Sequence, residues 1–190
     1  MDFTAYLSEF GRILNNPNPP APYDRSEYLD YTRLNWSRMN RWLKKGQLDP
    51  AFVGAVTRIS HPQQWIVITE PWCGDAAHSL PFLHLASTHN PLISVTFELR
   101  DSPPFRINEY LTAGSKSIPK LIIRNSAGED LATWGPRPAA CQEVYQQLLA
   151  TGADFERVKT DLQHWYNNDK GKSLQAELTV VLTDILPPTA

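Results

Sequence analysis

Apolar and polar residues follow patterns along the chain that predict a sheet in its central part. A continuous apolar run rich in β-branched residues, 65–69, predicts a strand buried within a sheet, and 92–99 predicts a second buried strand. A third strand is predicted over 116–123 and a fourth over 131–134, with a turn at 125–129 between them. Because Asn and Gly tolerate the positive φ that tight turns need, we expect these last two strands to pair in antiparallel fashion.

Apolar residues at helical spacing predict helices before, between and after these strands. The predicted helices cover 3–14, 26–45, 50–59, 73–87, 108–113, 139–149, 154–166 and 173–186. The apolar positions of the helix 26–45 are Tyr28, Leu29, Tyr31, Leu34, Trp36, Met39, Trp42 and Leu43, and those of 139–149 are Val144, Leu148 and Leu149. Basic residues separate the apolar positions of 26–45, which also suits a partner or a membrane surface. We expect this helix to pack against the body of the same chain instead.

Composition limits the classes of protein that this sequence can represent. The chain has 190 residues, of which 42% are hydrophobic and 20% charged, with a formal net charge of −2. These values are ordinary for one globular domain, and they give no basic surplus for binding nucleic acid. The sequence has no cationic leader and no long apolar stretch, so we expect a cytoplasmic protein without membrane attachment. Its two cysteines, Cys73 and Cys141, are too few for a disulfide framework.

The segment Trp72-Cys73-Gly74-Asp75-Ala76 places a cysteine where the strand 65–69 passes through a turn into a helix. A thiol in the first turn of a helix lies near unpaired backbone N–H groups and the positive end of the helix dipole. This position predicts a lowered thiol pKa and a reactive thiolate in an exposed loop. The neighbouring Asp75 would oppose that effect, and the sequence leaves the balance open.

This segment resembles the active-site segment of the thioredoxin family, and two distant motifs agree with it. They are Ile118-Pro119, at the start of the third strand, and Trp134-Gly135, at the end of the fourth. Together with the Ser-Ile-Pro-Lys and Thr-Trp-Gly-Pro-Arg-Pro contexts, they are similar to a bacterial subfamily of thioredoxin family proteins with a Trp-Cys-Gly-Asp-Ala motif. The resemblance covers about half the chain.

The resemblance implies an α/β thioredoxin-like fold, in which a central mixed sheet is flanked by helices. It implies a core over 60–150, with helical extensions over 1–59 and 151–190 that complete one compact domain. It also implies that Cys73 is the catalytic residue, that Pro119 follows a cis peptide, and that Arg137 faces the thiol and lowers its pKa. The substrate groove would then comprise Ile118, Pro119, Trp134, Gly135 and Arg137.

Two departures from the family pattern bear on activity. Ala76 stands where thioredoxins have the second, resolving cysteine, and Val67 stands where they have a buried acid. Cys141 is an alternative second thiol if it comes within bridging distance of Cys73, and otherwise is a small buried residue. His78 follows Cys73 by five residues, and we expect a solvated or neighbour-bonded imidazole rather than a general base. The histidines form no close pair with cysteines or carboxylates, so we expect no metal and no cofactor.

Two functions follow from these observations. The first is a single-cysteine thiol-disulfide oxidoreductase, in which Cys73 attacks a disulfide and an external low-molecular-weight thiol replaces the resolving cysteine. The second is a catalytically silent thioredoxin-like module that binds a peptide or protein in the same groove. A Cys73 pKa well below its ordinary value would favour the first function.

Overall fold

The computed structural model describes residues 1–186, which form a mixed sheet covered by helices on both faces. The strands are β1 (Gln63–Thr69), β2 (Ile93–Leu99), β3 (Lys120–Asn125) and β4 (Asp130–Trp134). The helices are α1 (Phe3–Leu14), α2 (Ser26–Lys45), α3 (Pro50–Thr57), α4 (Gly74–Ser87), α5 (Ala139–Ala150), α6 (Phe155–Asp169) and α7 (Lys172–Ile185). The predicted order of strands and helices is therefore confirmed, with one exception.

The exception is the helix predicted over 108–113. The structure has a single 3-10 turn at Arg106–Glu109, followed by an isolated bridge between Thr112 and Ser115. Phe105, just before this turn, has a φ of 55°, a backbone conformation that does not start an α-helix. Residues 112–115 instead form a short loop, which turns the chain toward β3.

The four strands lie in the order β2-β1-β3-β4. The strands β1 and β2 are parallel, whereas β3 is antiparallel to both β1 and β4. In β1, which lies inside the sheet, the run Trp65–Thr69 is fully buried, as its apolar sequence predicts. The prediction that β2 is buried is wrong for much of its length, because β2 lies at the edge and only Ile93 and Phe97 are buried.

Helices from both ends of the chain contribute to the same hydrophobic core as the sheet. Tyr6 and Phe10 of α1 and Leu178 of α7 are each 1% exposed or less and belong to the cluster that contains the strands. In α2, Met39 is buried in this cluster, with Trp36 and Leu43 packed against it. The expected packing of α2 against the body is therefore seen.

Some apolar positions predicted to be buried are exposed. Leu34 of α2 is 45% exposed and Leu149 of α5 is 52% exposed. Helix α2 turns a largely polar face inward, and its buried residues are Thr32, Asn35, Arg38, Met39 and Trp42. Helical spacing alone did not indicate this face, because three of its five residues are polar.

Candidate functional site

Cys73 lies at the end of the loop between β1 and α4, where it caps the first turn of the helix. Its Sγ accepts the backbone N–H of Ala76 at 3.4 Å, and its thiol donates to the backbone carbonyl of Ile118 at 3.3 Å. Only 6% of the residue is exposed. The thiol therefore has a donor and an acceptor inside the protein, and it does not lie in an exposed loop as predicted.

The balance of effects on the Cys73 pKa, which the sequence leaves open, falls on the side of a raised pKa in this structure. Burial, and after it the carboxylate of Asp75, raise the pKa of Cys73 to about 12. The N–H of Ala76 and the guanidinium of Arg137 act in the opposite direction, but they are weaker. Val67, at the position of the missing acid, is fully buried in β1. At neutral pH the Cys73 thiol is therefore protonated.

Asp75 and Arg137 form a buried ion pair next to the thiol, at a separation of 2.7 Å. Their side chains are 12% and 16% exposed. The second oxygen of Asp75 accepts a hydrogen bond from the Tyr166 hydroxyl at 2.9 Å. Arg137 lines the same groove as Cys73. Because its guanidinium is paired with Asp75, it lowers the Cys73 pKa by less than Asp75 raises it.

The Ile118–Pro119 motif lies beside Cys73, and its peptide bond is cis. Gly135 packs closely against the same motif: with a φ of 117°, it has no room for a side chain, since a Cβ there would overlap the carbonyl oxygen of Pro119. Trp134 points elsewhere, because its indole N–H donates to Glu177 of α7 at 2.7 Å. Trp134 thus connects β4 to α7 and does not line the groove.

Cys141 is fully buried in a small second cluster with Val158, Leu162 and Tyr166. Both cysteines are free thiols. Burial raises the pKa of Cys141 to about 12 as well, and the Asp75 carboxylate again contributes. The structure therefore contains no bond between the two cysteines, and Cys141 is enclosed by α5 and α6.

His78 is buried one turn into α4 and is hydrogen-bonded on both ring nitrogens. Its Nδ1 accepts from the Trp42 indole at 2.9 Å, so the proton is on Nε2, which lies 3.1 Å from Oε1 of Gln163. The ring stacks on Tyr166 at 4.4 Å between centroids. Burial and then the charge of Arg38 lower its pKa to about 3. His78 is a neutral structural imidazole, not a base for the thiol.

Cys73 opens onto a groove of about 1070 Å³. Of the predicted site residues, it is lined by Trp72, Cys73, Gly74, Asp75, Ile118 and Arg137. Ala76, Pro119, Trp134, Gly135 and Cys141 lie behind this surface and do not line it. The structure thus brings the three predicted loops together, and only part of each loop reaches the groove.

The other walls of the groove come from α2 and α6, which the sequence did not assign to the site. Tyr31 of α2 covers the start of α4 so closely that its hydroxyl would overlap a Cβ at position 74. Arg38 of α2 and Lys159 of α6 also line the groove, and the Nζ of Lys159 lies 5.4 Å from the centre of the Tyr31 ring. The sequence identifies Gly74 as part of the cysteine motif, but it does not indicate that Tyr31 of α2 packs against this glycine.

No group of three or more His, Cys, Asp or Glu residues within 1–186 is arranged to hold a metal ion. In the same residues, no helix is both long and apolar enough to cross a membrane.

Comparison with known proteins identifies the family. A family model described as thioredoxin matches residues 23–150, about two thirds of the chain. The chain belongs to the thioredoxin family. No curated protein is a significant match to this thioredoxin-like sequence.

Two solved structures share the fold of this thioredoxin-like protein. One is a protein of unknown function from Pseudomonas aeruginosa, with a TM-score of 0.61 and 17% identity over 97% of this chain and 93% of that one. The other is an HIV epitope scaffold, with a TM-score of 0.59 and 16% identity over 96% of this chain and 92% of that one. At these identities the likeness is one of fold, and it includes the terminal helices.

Proposed function

We propose that this protein is a thioredoxin-like module that binds an extended peptide in the groove beside Cys73, and that the Cys73 thiol stays protonated and unreactive. The observation that carries this proposal is the position of Cys73. Its thiol is buried and already hydrogen-bonded to the Ile118 carbonyl, and Ala76 supplies no second sulfur. The motif thus keeps the geometry of the family's groove without the pair of thiols that dithiol chemistry requires.

The groove itself supports the peptide-binding half of the proposal. It runs past Ile118, whose backbone is where the family pairs with extended substrates. Its volume of about 1070 Å³ is slightly above the roughly 300–1,000 Å³ typical of small-molecule pockets. Tyr28, Tyr31 and Tyr145 supply aromatic surface with polar ends, which suits peptide contacts.

A groove-blocking variant tests this proposal. We expect an array of decapeptides with randomised side chains to retain the wild-type protein at a subset of its sequences. Ser117→Trp fills the groove next to Ile118 and should abolish that retention. Ser126→Trp, in the exposed turn between β3 and β4, is the matched control and should bind like wild type. Equal retention of both variants, or no retained sequence for wild type, would contradict the proposal.

Single-cysteine exchange is the second candidate function, and one contact favours it. The Sγ of Cys73 accepts the N–H of Ala76 at the start of α4, which would stabilise a thiolate once the groove opens. The Cys73 thiolate would attack the glutathione sulfur of a mixed disulfide between glutathione and a substrate thiol, break its S–S bond, release the substrate thiolate and leave Cys73 joined to glutathione. A second glutathione thiolate would then break the mixed disulfide and restore Cys73.

Mass spectrometry after treatment with oxidised glutathione decides between the two candidates. A resting thiol predicts little adduct at pH 7 in the native protein. Rapid formation of one adduct at Cys73, absent from Cys73→Ser, would favour exchange instead. Insulin reduction with dithiothreitol should stay near background in either case, because Ala76 cannot release a mixed disulfide intramolecularly.

A further inference from the structure

Arg38 is a buried cation on the floor of the groove. It is 6% exposed and lies on the inward face of α2. One terminal nitrogen donates to Oδ1 of Asn35 at 2.8 Å, and its Nε has no hydrogen-bond partner. A buried guanidinium with an unused donor is costly to keep, because burial disfavours the charge and no bond compensates it.

No carboxylate among residues 1–186 neutralises Arg38. The eight ion pairs within 4 Å do not include it. Asp75, the acid next to Cys73, is already bound by Arg137 and Tyr166. Arg41 is a second cation one turn further along α2, and burial and the charge of Arg38 lower its pKa. Among residues 1–186, the charge of Arg38 therefore has no ion-pair partner.

The groove also has an apolar wall with exposed side chains. Leu149 at the end of α5 is 52% exposed, and Phe155 at the start of α6 is 72% exposed. Both line the groove, together with Val158 and Leu162. Large apolar side chains left in water beside a cationic floor fit a ligand that carries both an acidic and an apolar group.

We propose that the groove selects an extended acidic peptide, with a Glu or Asp side chain bound to Arg38 and apolar side chains packed on Leu149 and Phe155. This rests on the proposed peptide-binding function and specifies its ligand. A carboxylate of the peptide would pair with the guanidinium of Arg38 where that side chain lines the groove, and would neutralise its charge. The volume of the groove and the exposed apolar side chains that line it favour a peptide over a small free anion.

Two matched decapeptides test the charge selection without any variant. In one, Glu alternates with Leu and Ala, and in the other each Glu is replaced by Gln. We expect fluorescence polarisation to give the Glu peptide an affinity about tenfold or more above that of the Gln peptide, as for a charge-assisted hydrogen bond. Added glutarate should compete only weakly; competition at equal concentration would overturn the peptide in favour of a free dicarboxylate.

Two variants test whether Arg38 is the residue that prefers the Glu peptide over the Gln peptide. Arg38→Met should remove the preference for Glu and raise the melting temperature of the free protein, because it replaces an uncompensated buried charge with an apolar side chain. Arg33→Met removes the same charge from the exposed face of the same helix, where Arg33 pairs with Asp30, and should leave the preference unchanged. A purely structural Arg38 would instead give a lower melting temperature on replacement, and that result would overturn the assignment.

The two proposals fail differently. If both peptides bind wild type equally and Ser117→Trp abolishes both interactions, the groove binds peptides but the acidic selection is wrong. If neither peptide binds, both the acidic selection and the peptide-binding function are contradicted.

Discussion

At the scale of single residues, burial and the helix dipole compete for the protonation of Cys73. The start of a helix stabilises a nearby anion by about 0.3–1 kcal/mol, and by up to ~2 kcal/mol where it is partly buried. Full burial of an acid shifts its pKa by up to about 3–5 pH units, at roughly 1.4 kcal/mol each. Burial is the larger effect, so the direction of the Cys73 pKa follows from the 6% exposure of the residue.

The carboxylate of Asp75 can be removed to test this balance. Asp75→Asn keeps an acceptor for Tyr166, deletes the charge that raises the Cys73 pKa, and leaves Arg137 free to lower it. We expect a lower Cys73 pKa and therefore faster alkylation by iodoacetamide at pH 8, mapped to Cys73. Asp30→Asn, on the surface of α2, is the control and should react like wild type. An unchanged rate in Asp75→Asn would contradict the electrostatic account.

Gly135 is the second residue with a specific requirement. Gly135→Ala should be strongly destabilising, because its Cβ would collide with the backbone of Pro119 as well as occupy a φ of 117°. Gly128 also has a positive φ, of 82°, but its Cβ would meet nothing within 4 Å. Urea unfolding should therefore show a larger loss for Gly135→Ala than for Gly128→Ala. Equal losses would mean that the collision is relieved without cost.

At the scale of elements, α6 contacts α4, the helix that Cys73 caps. Its residues Gln163 and Tyr166 contact His78 of α4, and Tyr166 also reaches Asp75. Asn167 joins this network to α2 through a bond from Arg41 at 2.7 Å. The groove therefore depends on the packing of three helices, of which only α4 carries the motif.

His78 makes this packing sensitive to acid. Its folded pKa of about 3 is below the ordinary value of 6.5, so the unfolded chain binds the proton first. His78 thus contributes stability that is present above pH 6.5 and is lost as pH falls toward 3, at about 1.4 kcal/mol per pH unit. His78→Asn keeps an acceptor for Trp42 and should flatten the stability curve in this window. The exposed His89→Asn is the control, and an unchanged curve for His78→Asn would contradict the assignment.

Helix α7 is held by burial, and two of its residues provide a matched test. Leu178 is fully buried in the main core, whereas Val180 is 59% exposed. We expect Leu178→Ala to lower the free energy of unfolding by about 2–5 kcal/mol, and Val180→Ala to change it by less than about 0.5 kcal/mol. Chemical denaturation measures both. A small effect at Leu178 would show that α7 is not integral to the core.

At the scale of the whole molecule, the terminal helices and the sheet form one core. The cluster that contains β1 and β3 also contains side chains of α1, α2, α3 and α7. Helix α2 also carries Arg38 and Tyr31 to the groove. The boundaries of the core at residues 60 and 150 come from the family resemblance. We propose that residues 60–150 do not fold by themselves.

A truncated chain tests this proposal. Residues 60–150 alone would expose the apolar surfaces that α1, α2, α3 and α7 cover, and each buried side chain contributes about 1.5–3 kcal/mol. We expect the fragment to lack the near-ultraviolet circular dichroism of the full chain and to aggregate. A soluble fragment with a cooperative thermal transition would show instead that 60–150 folds by itself.

The sequence alone determined the order of the elements, because apolar periodicity is a local property. The apolar run of β1, the turn at Asn125 and the proline at the start of α3 each have a local physical cause. The motif residues Cys73, Ile118 and Gly135 could likewise be recognised, and the structure brings them together as the resemblance implied. The helix predicted over 108–113 is absent. Phe105 has a positive φ, and nothing in the sequence indicates that conformation for a phenylalanine.

Only the tertiary structure decided the chemical state of the site. The pKa of Cys73 depends on how deeply the thiol is buried, and the charge left on Arg38 depends on which carboxylates reach it. Both are sums over neighbours that are distant in sequence: Ile118 lies 45 residues from Cys73, and Tyr166 lies 91 residues from Asp75. Burial and electrostatic interactions act through space, so no local pattern in the sequence could specify them.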